Sequence, residues 1–155
     1  MASNPETPSD PETRARLKLR AEDTEDLAVI AAVLQDALVA VGEMAFIPAE
    51  GRFALAANRF RWECRRGDET GPFERIVTGI SFETVRSVQT RGFRRSEGER
   101  ILEILTVRQE ENAILIEFSG NGCLRLEVES ILCHLEDLGE PWQTQWRPHH
   151  PIDGG

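Results

Sequence analysis

Between Gly98 and Glu129 the chain reads as three consecutive β-strands separated by short polar turns, and in the last two apolar residues recur at every second position. Side chains of a strand point alternately to opposite faces, so this spacing demands half-buried β-structure. In the last two segments Ile114, Ile116 and Phe118 alternate with Leu115 and Glu117, and Leu124, Leu126 and Val128 alternate with Arg125 and Glu127. A two-residue turn on Asn121-Gly122 would set Phe118 against Arg125 and throw the two apolar rows onto opposite faces. A three-residue loop of Gly120, Asn121 and Gly122, with Gly122 left-handed, removes the conflict. It predicts Phe118 opposite Leu124, Ile116 opposite Leu126, Ile114 opposite Val128, and Glu117 paired with Arg125 on the solvent face. The preceding run, Ile101 to Gln109, is apolar on both faces and reads as a central strand of open register.

Upstream, Leu17-Lys18-Leu19-Arg20 suits a short first strand. Asp23 or Thr24 then offers an N-cap, followed by Glu25 and Asp26 in a first turn and by Leu27, Ile30, Ala31, Leu34 and Leu38 at helical spacing. The pattern predicts a helix ending near Val39 to Val41, with Gly42 as its stop. Met44 to Ile47 reads as a strand closed by Pro48. From Arg52 to Glu63 the apolar parity changes between Leu55 and Phe60, which predicts a bulge near Asn58. Residues 65–72 read as a polar loop. Phe73 to Phe93 changes parity near Glu83-Thr84 and is one bent strand or two short ones. Ile131, Leu132, Leu135 and Leu138 sit at helical spacing, while Ile131, Cys133 and Leu135 suit a strand, and the strand is the preferred reading.

A 155-residue chain that is 40% apolar holds one domain with a core that needs no staples. Residues 1–14 are too poor in apolar side chains to order and read as a disordered tail; residues 15–139 form the domain; residues 140–155 are an extended tail. The tail holds Pro141, Trp142, Trp146, Pro148 and Pro151, aromatics that either tie the chain end across the sheet or serve as a recognition element. A formal charge of −9 argues against general nucleic-acid or anionic-membrane binding. No apolar run approaches the length of a membrane helix, and the N-terminus lacks the basic start and apolar core of a secretory signal. Three cysteines, Cys64, Cys123 and Cys133, cannot all pair within one chain, which fits a reducing cytoplasm.

Charge is unevenly spread. Residues 52–100 hold 11 Arg against 7 acids, whereas the rest of the chain carries −13. Arg59, Arg61, Arg65 and Arg66 flank one loop, and Arg91, Arg94 and Arg95 flank another; together with Trp142 and Trp146 they are the candidate partner-binding residues. The bland alternative is a set of solvated charges balanced by Glu63, Glu69 and Glu97. Cys64, Cys123, Cys133, His134, His149 and His150 lack the spacing of a zinc site, and on a strand Cys133 and His134 point to opposite faces. Glu127 and Glu129 are a solvated same-face pair. No nucleophile elbow, phosphate loop or nucleotide-binding glycine pattern is present, so no catalytic, cofactor or metal residue is assigned.

Leu17-Lys-Leu, the helix starting Glu25-Asp-Leu, Arg52-Phe-Ala-Leu with Asn58-Arg-Phe-Arg-Trp62, and the ending Leu124-Arg-Leu-Glu-Val128 through Leu135-Glu-Asp-Leu-Gly139, Pro141-Trp142, Pro148 and His149 resemble an uncharacterised family of small acidic bacterial proteins, a domain of unknown function. The resemblance implies no activity to carry over. The expected fold is α+β: an N-terminal helix packed on a strongly bent antiparallel sheet of about seven strands, or on a partly closed barrel resembling pleckstrin-homology-like folds. The expected role is a non-enzymatic cytoplasmic module that engages an unidentified protein partner through its arginine-rich face. The alternative is a small-molecule binder or enzyme with a pocket inside the curved sheet.

Overall fold

Asp23 begins the one α-helix among the described residues in the way its side chain dictates: its Oδ1 accepts the Asp26 N–H at 2.8 Å, and the extended backbone there turns into α1, Thr24–Leu34. The computed structural model describes residues 16–62 and 73–144. Among these, β1 is Lys18–Ala21, β2 Leu38–Ala40, β3 Met44–Ile47, β4 Arg52–Phe60, β5 Phe73–Phe82, β6 Val85–Arg91, β7 Ile101–Glu110, β8 Ala113–Phe118, β9 Gly122–Val128 and β10 Cys133–Thr144. The expected disordered tail, the polar loop at 65–72 and the end of the C-terminal tail lie outside the described residues.

All ten strands join one antiparallel sheet in the order β1-β10-β5-β4-β2-β7-β8-β9-β6, with β3 also paired to β4. This corrects the expectation of about seven strands under a packed helix. β1 and β6 each have a single strand neighbour, so the sheet is open, neither a partly closed barrel nor a pleckstrin-homology-like fold. The extra strands come from pieces as short as the three residues of β2, too short for periodicity to reveal. β7 is central, between β2 and β8.

The helix ends at Leu34, not near Val41. Asp36 takes a left-handed φ of 66°, which Asp tolerates, and donates its N–H to Ile104 O at 2.9 Å. From there Ala37, Val39 and Val41 turn inward at period two, and β2 pairs with β7. The chain leaves β5 for β6 through Thr84, left-handed at φ 56° and held by its hydroxyl to Ser130 O (3.0 Å) and by Glu129 N–H to its carbonyl (3.0 Å). Phe73 to Phe93 is therefore two strands, and Ser130–Gly139 holds strand as preferred.

Two registers differ from expectation. Phe118 faces Gly122, Ile116 faces Leu124 and Ile114 faces Leu126, so the loop is Ser119, Gly120 and Asn121, with Gly120 (φ 78°) and Asn121 (φ 73°) left-handed. The shift is two residues, which keeps both apolar rows on one face. Glu117 then bonds Arg108 (2.9 Å), and Arg125 faces Glu110 (3.6 Å). The predicted bulge at Asn58 is absent: β4 pairs with β5 without interruption from Phe53↔Phe82 to Phe60↔Arg75.

The inward faces meet in one core that includes Phe53, Ile80, Phe82, Ile104, Ile116, Phe118, Leu126 and Leu135, with Leu27, Ile30 and Leu34 of the helix inserted. Each such side chain contributes about 1.5–3 kcal/mol on burial. Among the described residues, three grooves open at the sheet.

Candidate functional site

Arg59 occupies the inward position that follows Phe53, Leu55 and Ala57 along β4, and it is fully buried. Its Nε and Nη2 donate to Asp137 Oδ1 and Oδ2 at 2.9 and 2.7 Å, and its Nη1 to Phe60 O at 2.8 Å. Thr78 Oγ1 donates to Asp137 Oδ1 (2.7 Å), and Leu17 N–H to Oδ2 (2.8 Å). Burial pushes the Asp137 carboxyl up. The Arg59 guanidinium, the Leu17 N–H and the Thr78 hydroxyl outweigh that and hold it below the usual carboxylate range. Arg61, also buried, bonds Glu74 at 2.6 Å. Two of the arginines expected on a binding face are thus interior, because each has a carboxylate waiting across the sheet.

A second polar cluster lies on the outer face, where Glu103 stands opposite Leu38 beside the Asp36 turn. Partial burial raises the Glu103 pKa, helped by the hydrogen bond and negative charge of Asp36; Ser119 and Arg75 offset part of this. Arg75 itself is buried, its guanidinium 4.4 Å from the centre of the Phe60 ring.

Arg91, Arg94 and Arg95 are exposed on one corner, and the backbone there is pinned. Gly92, at φ 83°, lies so close to the β8–β9 loop that a Cβ would sit 2.8 Å from Asn121 O. Phe93 is buried, edge-on to Phe118 with ring centres 5.7 Å apart. The Arg94 N–H bonds the Glu97 carboxylate at 2.7 Å and draws that group below its ordinary pKa. Among the described residues Arg91 and Arg95 make no ion pair. Arg91 also borders a shallow groove of about 490 Å³ on the outer face of β6, β9 and β8, together with Gln89, Leu115, Cys123, Arg125 and Glu110. These groups present charge and hydrogen-bonding capacity on the outer face.

The profile of a family described as protein of unknown function, DUF2948, matches residues 17–150. The chain belongs to the DUF2948 family. No curated protein and no solved structure gives a significant match. The matched span starts beside β1 and takes in every element of the sheet, so the DUF2948 unit includes both the buried ion pair and the exposed corner.

The remaining candidates in this DUF2948 protein scatter. Trp142 is exposed on β10, opposite Arg75, and apart from the arginine corner in the sheet order. Arg65, Arg66, Trp146, Cys64, His149 and His150 lie outside the described residues. Cys133 points inward and His134 outward; burial, with Glu83 adding to it, pushes the Cys133 thiol up to about 12, far from a neutral-pH nucleophile. No three His, Cys, Asp or Glu residues cluster as metal ligands among the described residues. No described helix is long and apolar enough to cross a membrane. Sequence reasoning missed Asp137 and Thr78. The available signal was parity: Asp137 continues the inward row of Cys133 and Leu135, as Arg59 continues that of Leu55 and Ala57.

Proposed function

We propose that this DUF2948 protein is a non-enzymatic interaction module that engages an acidic segment of a protein partner through Arg91, Arg94 and Arg95, with Arg125 in the adjoining groove. The observation that carries the reading is the arginine corner itself: exposed guanidinium groups, two of them without an ion pair among the described residues, on backbone held by Gly92 and Phe93. A pinned corner loses little conformational entropy when it binds, and planar guanidinium groups suit carboxylates bidentately. The net charge of −9 weighs against a nucleic acid, since long-range repulsion opposes a polyphosphate. A cytoplasmic setting belongs to the same reading and rests on the odd number of cysteines.

The test is affinity capture from native lysate, with and without nuclease, using the intact chain and the Arg91→Glu, Arg94→Glu, Arg95→Glu variant. A captured protein, once purified, should bind the intact chain with an affinity that falls as salt rises, and should lose the variant while both chains melt alike. Equal binding to the two chains overturns the reading.

A further inference from the structure

We propose that the acidic partner segment adds to the free edge of β6 as an extra strand, held by main-chain hydrogen bonds while Arg91, Arg94 and Arg95 select its charge. This rests on the arginine-corner reading and adds how the segment is held. Where the edge groups point follows from parity. The Val128 N–H is donated to Asn112 O at 2.8 Å, which turns the backbone of Val128, and with it Leu126 and Leu124, toward β8. Their partners in β6 are Val85, Val88 and Thr90, which therefore present N–H and C=O on the side away from β9. Val85 shows the direction, its N–H bonding Gly51 O at 2.8 Å. The irregularity in the β6–β9 ladder ends at Ser87, and Val88 to Arg91 run in regular register. Among the described residues the edge-facing groups of Val88 and Thr90 make no hydrogen bond. Such a row is a template for another strand, and no proline or charge between Val88 and Thr90 guards it.

The space beside that edge is framed by β3, which is paired on one side only, to β4. Gly51, shortly after β3, accepts the Val85 N–H, and Gly42, shortly before it, donates to Gly98 O at 2.9 Å. Between these two ties no backbone bond joins β3 to β6 among the described residues. Met44 and Phe46 of β3 and Val88 of β6 are half-buried there, apolar surface for the inward side chains of an entering strand. Charge names the occupant. Residues 85–100 hold five Arg against two Glu, and residues 42–47 add one acid, Glu43. The acids alongside are engaged: Glu129 by Arg86 at 3.4 Å, Glu127 by the Ser87 hydroxyl at 3.1 Å, and Glu97 by the Arg94 N–H. β6 itself carries Arg86 and Arg91 and no acid, so its own copy is a poor match and an acidic strand a good one.

The probe is a blocked nonapeptide alternating Val and Glu, with a peptide of equal charge carrying Pro for Val as control, and the readout is amide hydrogen exchange of the full chain by NMR. In the free chain Val88 and Thr90 should exchange several-fold faster than Gln89 and Arg91, whose N–H groups face β9. The Val–Glu peptide should slow Val88 and Thr90 several-fold and leave Gln89 and Arg91 unchanged; the Pro–Glu peptide should slow none of them. Thr90→Pro removes an edge N–H and no bond to β9, so it should lose the peptide while melting as the parent does; if it fails to fold, the exchange comparison decides alone. Val88 and Thr90 left unprotected by the Val–Glu peptide, or both peptides binding alike, overturns strand addition. If that binding is still lost in the Arg91→Glu, Arg94→Glu, Arg95→Glu variant, the corner reading survives; if the variant binds equally, the corner reading falls as well. Slow exchange of Val88 and Thr90 already in the free chain also overturns the proposal, and where it disappears on dilution with a dimer-to-monomer change in sedimentation, the edge belongs to a second copy.

Discussion

Position 59 shows how far one residue type can mislead. Arginine reads as surface in any composition-based survey, yet Arg59 is completely buried, its guanidinium bonded to Asp137 and to the Phe60 carbonyl while the Thr78 hydroxyl and the Leu17 N–H bond Asp137. Removing one partner should be far worse than removing both: Asp137→Leu is expected to cost about 3–5 kcal/mol through the stranded guanidinium. Adding Arg59→Met should recover a substantial part of that loss in urea unfolding. The same residues explain the false bulge. With Arg59 counted as polar, the apolar parity of β4 switches at Asn58; with Arg59 counted as core, the inward row runs unbroken from Phe53 to Arg59, and Phe60 is buried on the other face beside Arg75. By contrast, the opposite faces of Cys133 and His134 were legible, since period two alone decides them.

Elements were legible where a local pattern is long and their ends were not. The N-cap is a local hydrogen bond, and the sequence narrowed it to Asp23 or Thr24, of which the structure uses Asp23; the helix stop depends on Ile104, nearly seventy positions away, taking the Asp36 N–H, and was not legible. The β8–β9 hairpin kept its facing rows but moved by two residues, because parity constrains register only modulo two and the choice of left-handed loop residues settles the rest. The arginine corner depends on Gly92 in two ways, conformation and contact. Gly92→Ala should destabilise by more than about 1 kcal/mol. Gly120→Ala should cost less: it has a similar φ of 78° but nothing within 4 Å of its Cβ position. Comparing the two in urea separates the steric contact with Asn121 from backbone strain.

At the scale of the molecule, two carboxyl groups give the stability curve opposite slopes. The Asp137 pKa is depressed by folding, so its contribution is complete above the ordinary carboxylate value of about 3.9 and is lost as pH falls through the folded value. The Glu103 pKa is raised, so its contribution is complete below the ordinary value of about 4.3 and is lost as pH rises through the folded one. Urea unfolding against pH should therefore show an acid limb that Asp137→Asn reduces, the depressed Glu97 carboxyl adding to the same limb. Glu103→Gln should be more stable than the parent at neutral pH and should lose the decline between acid and neutral. The sequence by itself determined that the chain is a strand-rich, acidic domain with one helix near its start, because alternation and capping are written in neighbouring residues. Only the tertiary structure decided that ten strands among the described residues form one open sheet, and that Arg59 and Arg61 are buried while Arg91, Arg94 and Arg95 are exposed. Those outcomes rest on partners such as Asp137, 78 residues from Arg59, whose pairing leaves no local trace.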